Sequence, residues 1–230
     1  MRTLFSSPQL AESLATQGMA LRGGFTVGVA DGVPDIAPGQ PAHALLLVGN
    51  IGGAMWPAFA AAEEIAGPDP DPLDRWTKRV IDKIATEIGA RPLYPFSGPP
   101  YYPFQRWAAR AEPVLVSPLR MFIHPAYGLW HAYRAALVFA EELDLPSAVE
   151  TESPCRSCAG QPCLSACPVA AFQESGFDAI ACARHVDGPA GVECRERGCL
   201  ARRACPVGRD YSYSAPQMAF HMKAFISSRR

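Results

Sequence analysis

No run of apolar residues in this chain of 230 residues approaches the roughly 20 that a membrane-spanning helix needs, so no membrane span is expected. A surplus of one charge is lacking too: 21 lysines and arginines stand against 22 aspartates and glutamates, a net charge of −1. With no long basic stretch there is no electrostatic footprint for nucleic acid. The first residues lack the basic, apolar and small-residue zones of a secretory leader. Only one CxxC pair is present, which counts against a structural zinc site. No secreted context supports a disulfide framework. The expected compartment is therefore the cytoplasm. Apolar residues are not scarce, at 49%, and 19 glycines with 23 prolines imply many turns and few long helices. The length allows one large domain or two modest ones.

Cysteine is confined to one region. All eight lie in two runs, CRSCAGQPCLSACP from Cys155 and CARHVDGPAGVECRERGCLARRACP from Cys182. They are Cys155, Cys158, Cys163, Cys167, Cys182, Cys194, Cys199 and Cys205, and each run ends in Cys-Pro, at Pro168 and Pro206. A four-iron, four-sulfide cube needs four converging thiolates, and the cysteine before proline usually reaches to the other cluster. On that logic Cys155, Cys158 and Cys163 join Cys205, while Cys182, Cys194 and Cys199 join Cys167. The pattern resembles a two-cluster bacterial-type ferredoxin module. It departs from it in having four residues between Cys158 and Cys163, and eleven, four and five between the cysteines of the second run. Arg156, Arg202 and Arg203 either raise the cluster potentials by their charge or keep the surface soluble.

Elsewhere, residues 3–20 read as an amphipathic helix with Leu10, Leu14 and Met19 on one side. Residues 25–30 read as a strand, and 42–48 as a buried strand. The glycine-bearing stretch 49–53 lacks a P-loop lysine and reads as a turn before a helix over 54–65. Asp71 and Pro72 open a helix that Gly89 stops, with Leu73, Trp76, Val80, Ile84 and Ile88 inward. A short strand is expected over 91–94, irregular chain over 95–103, a helix over 104–111, extended chain over 119–125 and a connection over 140–154. The apolar stretch 129–139 suits helix or strand. The tail 214–230 reads as a helix packing on the body through Met218, Met222 and Phe225.

The stretch FIHPAYGLWHAYRAALVF, preceded in order by HALLLVGNIGGAMWPAF, DPLDRW and GPPYYPFQRW, resembles the cblC-type cobalamin-processing family. Such a core, fused to a two-cluster module, is also similar to epoxyqueuosine reductases and reductive dehalogenases, cobalamin enzymes fed electrons by their clusters. The resemblance implies a nitroreductase-like α+β sheet with flanking helices, a cobalamin cavity, and strand for 129–139. It departs at Pro95 and Ala135, where that family has histidine and glycine, and the catalytic acid of the epoxyqueuosine enzymes has no counterpart.

Tyr101 and Tyr102 are candidates for stacking on a corrin or donating a proton, against a simple aromatic loop packed on the core. Gln105 and Arg106 are candidates for corrin amides or a phosphate, against a solvated helix face. His124 is a candidate cofactor contact or proton shuttle, against an ordinary hydrogen-bonded histidine. Gly128 and Trp130 are candidate cofactor-binding residues through the resembling segment, with Trp130 and Tyr133 also reading as core. Arg134 on an apolar strand requires an anion; the resemblance places a bound thiol or phosphate near that arginine, which makes Arg134 a candidate cofactor-binding residue.

The expected organisation is a cobalamin-binding domain over 1–150, a 4Fe-4S domain over 151–213 and a C-terminal helix over 214–230. The expected function is delivery of electrons from two 4Fe-4S clusters to a bound corrinoid, with a redox partner protein as donor. The first rival is a plain electron-transfer protein whose front domain docks a partner. Others are an FMN enzyme, which the scarcity of early arginines opposes, and cobalamin transport without turnover. Whether the chain turns over a substrate is left open.

Overall fold

The computed structural model describes residues 8–145 and 151–229. The outer residues of the expected first and last helices and part of the 140–154 connection lie outside them. In chain order the elements are α1 (Pro8–Ala15), β1 (Ala20–Thr26), β2 (Ala44–Ile51), α2 (Trp56–Ala60), α3 (Glu63–Ala66), α4 (Pro72–Ile88), β3 (Arg91–Leu93) and α5 (Phe104–Ala111). Then come β4 (Leu115–Val116), β5 (Phe122–Ile123), β6 (His131–Phe139), α6 (Pro162–Ser165), β7 (Phe172–Gln173) and β8 (Gly176–Phe177). The last are α7 (Ala179–Asp187), α8 (Val192–Arg197), α9 (Leu200–Arg203) and α10 (Ala215–Ser227).

The chain divides into two compact units, Met1–Pro113 with His131–Glu150, and Val114–Trp130 with Thr151–Arg230. The boundary expected at 150 is thus only part of the division. Residues 114–130 leave the first unit because Leu119, Ile123 and Leu129 bury their side chains among cysteines of the second.

The first unit is a mixed α and β structure on an antiparallel sheet of order β1-β2-β6-β3. Leu45, Leu46, Leu47, Leu137 and Val138 are fully buried, as expected of central strands covered on both faces. The 129–139 stretch is strand because its alternative, a helix, would forfeit pairing with β2 along its whole length. The first strand lies five residues earlier than expected, at 20–26. It contains a bulge between Leu21 and Gly24 that masks the alternation expected of a strand. A second bulge between Val48 and Gly49 leaves Arg134 as the extra residue of β6. Gly49 is required there, since a Cβ would sit 2.0 Å from the Ala132 carbonyl oxygen.

Two short helices, α2 and α3, replace the single helix expected over 54–65, because the chain opens into an extended conformation at Ala62. Helix α4 starts at Pro72 and stops at Gly89 in the left-handed conformation, burying Leu73, Trp76, Val80 and Ile84. Ile88 is only half-buried. Asp71 caps nothing with its side chain and is itself left-handed at φ 51°, so Pro72 alone marks that start. Helix α5 has the expected bounds.

The second unit is built of short helices and two hairpins. Residues 119–125 are not continuously extended: β4 and β5 form a hairpin whose turn, at 117–121, is closed by Ser117 and Met121. Helix α10 is capped by the Ser214 hydroxyl, which accepts from the Gln217 amide. Its Met222 and Phe225 pack on Val186 and Cys194, so the tail helix belongs to the cysteine-bearing unit rather than to the first one. Among the described residues no helix is long and apolar enough to cross a membrane.

Candidate metal centres

All eight cysteines are free thiols. They fall into two groups. Cys163, at the first turn of α6, has Cys205, Cys155 and Cys158 as its thiol neighbours. Cys163 and Cys205 are buried with Leu119, Ile123, Leu129 and Ala201. Cys182 of α7 has Cys199, Cys167 and Cys194 as neighbours. These four line a narrow cavity walled by Phe172, Val186, Leu200 and Met222. The cysteine before each proline therefore lies with the other run's group, and the two halves interlock.

The donor chemistry suits a cationic core. Burial pushes the Cys182 thiol up to about 12, with the thiols of Cys199, Cys167 and Cys194 adding to the rise. Burial likewise raises Cys163 and Cys205. Four thiolates so placed repel one another and are stable only around positive charge, since metal binding requires the deprotonated form. Backbone amides already point at these sulfurs: Ala171 N–H donates to Cys167 Sγ at 3.3 Å. Those of Ala201 and Arg202 aim at Cys199, and that of Val207 at Cys205. Such donors tune iron–sulfur sites. Among the described residues no three His, Cys, Asp or Glu side chains close on a point where a single ion could be held. A cubane instead binds each thiolate at a different iron.

No family model matches the sequence, and no curated protein matches it. The fold is that of epoxyqueuosine reductase. A selenomethionine-labelled epoxyqueuosine reductase superposes with a TM-score of 0.54 at 15% identity, over 92% of this chain and 68% of that one. The enzyme from Streptococcus thermophilus gives 0.53 at 13% identity, over 87% and 65%. The C. elegans B12-trafficking protein CblC, at 0.49 and 15% over 93% and 88%, is too distant to carry an argument. At these identities the likeness concerns the fold alone.

The remaining candidates are scattered. Tyr101 is 66% exposed. Tyr102 stacks on Trp107 with ring centroids 5.9 Å apart. Gln105 and Arg106 lie on the exposed face of α5. Arg134 already has an anion: its Nη2 donates to Asp74 at 2.6 Å, and Thr77 Oγ1 lies 3.2 Å away. The ligand its position called for is thus replaced by a carboxylate of α4.

His124, Gly128 and Trp130 belong to the second unit. His124 Nδ1 accepts from the amides of Ala126 and Tyr127 at 3.1 and 3.3 Å, so the imidazole holds the turn that leads to Gly128. Trp130 is buried beneath the Arg202 guanidinium, 4.5 Å from its ring, and edge-on to Tyr213. Gly128 is left-handed at φ 57°, and a Cβ there would meet the Val207 carbonyl oxygen at 2.0 Å. Its role is close approach to the chain just after Cys205-Pro206. Gly128→Ala is expected to cost about 1–3 kcal/mol from backbone conformation alone, with the clash added. Urea denaturation checks this, and an unchanged midpoint sinks it.

Sequence reasoning missed a buried network in the first unit. Arg22, fully buried, donates from Nε and Nη2 to Glu112 at 2.9 and 2.7 Å and from Nη1 to the Asn50 carbonyl at 3.0 Å. The Tyr133 hydroxyl donates to the same Glu112 at 2.6 Å. Burial, reinforced by the Glu112 carboxylate, raises the Tyr133 hydroxyl well above its ordinary value. His131 Nδ1 lies 3.2 Å from Arg22 Nη2. A guanidinium only donates, so Nδ1 is the unprotonated ring nitrogen. The available signal was Arg22 itself, the only arginine between residues 3 and 74.

Proposed function

We propose that the protein is an iron–sulfur electron-transfer protein that reduces a bound corrinoid. The observation that carries the electron-transfer part is the sorting of eight free thiols into two interlocked groups of four. Cys155, Cys158, Cys163 and Cys205 would hold one 4Fe-4S cluster, and Cys167, Cys182, Cys194 and Cys199 the other. When bound, such clusters supply one-electron chemistry at potentials set by charge, solvent access and hydrogen bonds to sulfur. The chain's own contribution is to point amides at the sulfurs, exclude water with Val186, Leu200 and Met222, and hold the Arg202 charge between the Trp130 and Tyr213 rings.

The corrinoid part rests on the ordered resemblance of residues 42–139 to the cobalamin-processing family, with the epoxyqueuosine reductase fold in support. The protein then supplies shape and position, and the corrinoid the chemistry. Arg134 and His124 favour a second reading, a plain electron carrier whose first unit docks a partner, because internal partners already occupy both side chains.

Two measurements on the anaerobically purified protein decide between them. Metal and sulfide analysis is expected to give about eight irons per chain; zinc or no metal sinks both readings. Titration with cobalamin in the visible is expected to shift its bands. Full iron with no shift leaves the electron carrier.

A further inference from the structure

We propose that the cleft beside Cys155 is the docking site of an acidic one-electron carrier protein. This rests on the iron–sulfur reading and names where its donor binds. The cleft, about 540 Å³ and open to solvent, is formed by the β4–β5 hairpin, the Cys155 loop and the β7–β8 turn, and Cys155 lines its wall. Leu164 and Phe172 give it an apolar lining, and Val116, 62% exposed, stands at its edge. The second cysteine group, by contrast, lies behind Val186, Leu200 and Met222.

Three polar features suit an incoming carboxylate. Ser117 lines the cleft at 4% exposure, and among the described residues its hydroxyl has no partner, a cost that a small shift of the 117–121 turn toward an acceptor would relieve. Arg120 is left-handed at φ 58°, and its Nη2 donates to the carbonyls of Glu174 and Gln173 at 2.7 and 3.2 Å. Its charge is therefore already fixed, and docking forfeits little side-chain entropy. Arg156, 76% exposed, has among the described residues only a loose pairing with Glu152 at 3.9 Å. Glu174 also lines the cleft, and its backbone holds Arg120.

Long-range charge agrees. Counting lysines, arginines and acids alone, the cysteine-bearing unit has eleven against seven, +4, and the other ten against fifteen, −5; eight thiolates around two cubane cores of charge 2+ would bring the cysteine-bearing unit to about 0, still less negative than the other. A carrier rich in carboxylates is therefore repelled by the −5 unit and left to approach the cysteine-bearing one, where Arg156 and Arg120 stand at the cleft. A cluster held by Cys155, Cys158, Cys163 and Cys205 would accept one electron from the reduced carrier docked in the cleft. The carrier is oxidised by one electron, and no bond is made or broken.

The test is titration of ¹⁵N-labelled oxidised flavodoxin with the iron-loaded protein at about 0.05 M ionic strength, where surface charges are weakly screened. Arg156→Glu and Val116→Glu are each expected to raise Kd about tenfold with iron content and melting temperature unchanged. Wild-type affinity is expected to fall with salt. Reduction by flavodoxin is expected to slow in parallel in both variants, while reduction by photoreduced deazariboflavin, small and uncharged, stays constant. Unaltered Kd in both variants overturns the proposal. So does the absence of flavodoxin binding with inorganic phosphate bound in its place, which makes the cleft a small-anion site. Lack of iron defeats the electron-transfer reading, but the titration still judges the docking surface.

Discussion

Glu112→Ala is expected to destabilise the protein by about 3–5 kcal/mol, the usual consequence of removing one partner of a buried ion pair. Arg22 is wholly inside and Glu112 only 11% exposed. The carboxylate accepts both Arg22 bonds and the Tyr133 hydroxyl. Alanine takes from the guanidinium the carboxylate that accepts two of its bonds, and from the buried Tyr133 hydroxyl its Glu112 acceptor. Asn50 O and His131 remain beside Arg22, but both are uncharged and cannot offset its desolvation. The loss arises mainly from the buried charge, so removing that charge as well should recover part of it: Arg22→Met/Glu112→Leu is expected to be less destabilised than Glu112→Ala. Urea denaturation of the three chains measures this. A Glu112→Ala change below about 1 kcal/mol, the scale of a surface pair, means that Arg22 reaches water or another anion.

The same pair shows where the sequence was readable. Elements set by a local signal emerged clearly: α5 with its expected bounds, α4 from Pro72 and Gly89, and β2 from a continuous apolar run, although β2 runs on to Ile51 through the start of the 49–53 stretch read as a turn. Elements set by tertiary events did not. The strand at β1 is disguised by a bulge that turns Arg22 inward, and a bulge in the β2–β6 pairing leaves Arg134 unmatched on β6. A bulge depends on register with a neighbouring strand, which no window of one segment contains. An arginine on an apolar strand signals an anion but not its source: a bound ligand is the expectation, whereas the carboxylate beside Arg134 is that of Asp74, sixty residues away on a helix. Likewise, that 114–130 joins the cysteine-bearing unit depends on Leu119, Ile123 and Leu129 finding Cys163 and Cys205. The thiol grouping was legible because proline after the last cysteine of each run is a local cue with a long-range consequence.

That interlock makes a prediction opposite to the one sequence order suggests. Cys167 belongs by position to the first run, yet its thiol lies with Cys182, Cys194 and Cys199. Cys205 belongs to the second, yet lies with Cys155, Cys158 and Cys163. Serine is a poor soft ligand for iron, so each replacement should empty one site and reduce iron from about eight to about four per chain. Cys167→Ser should leave the same residual cluster as Cys194→Ser, and Cys205→Ser the same as Cys163→Ser. The residual clusters are compared by their electron paramagnetic resonance after reduction. If Cys167→Ser instead matches Cys163→Ser, each run serves its own cluster. Stability sharpens the contrast. The walls of the second cavity, Val186 and Met222, rest on α7 and α10, and cluster binding contributes to folding where thiolates repel without it. Cys167→Ser is therefore expected to loosen α7 and α10 in hydrogen exchange, while Cys205→Ser loosens the β4–β5 hairpin packed beside Cys163.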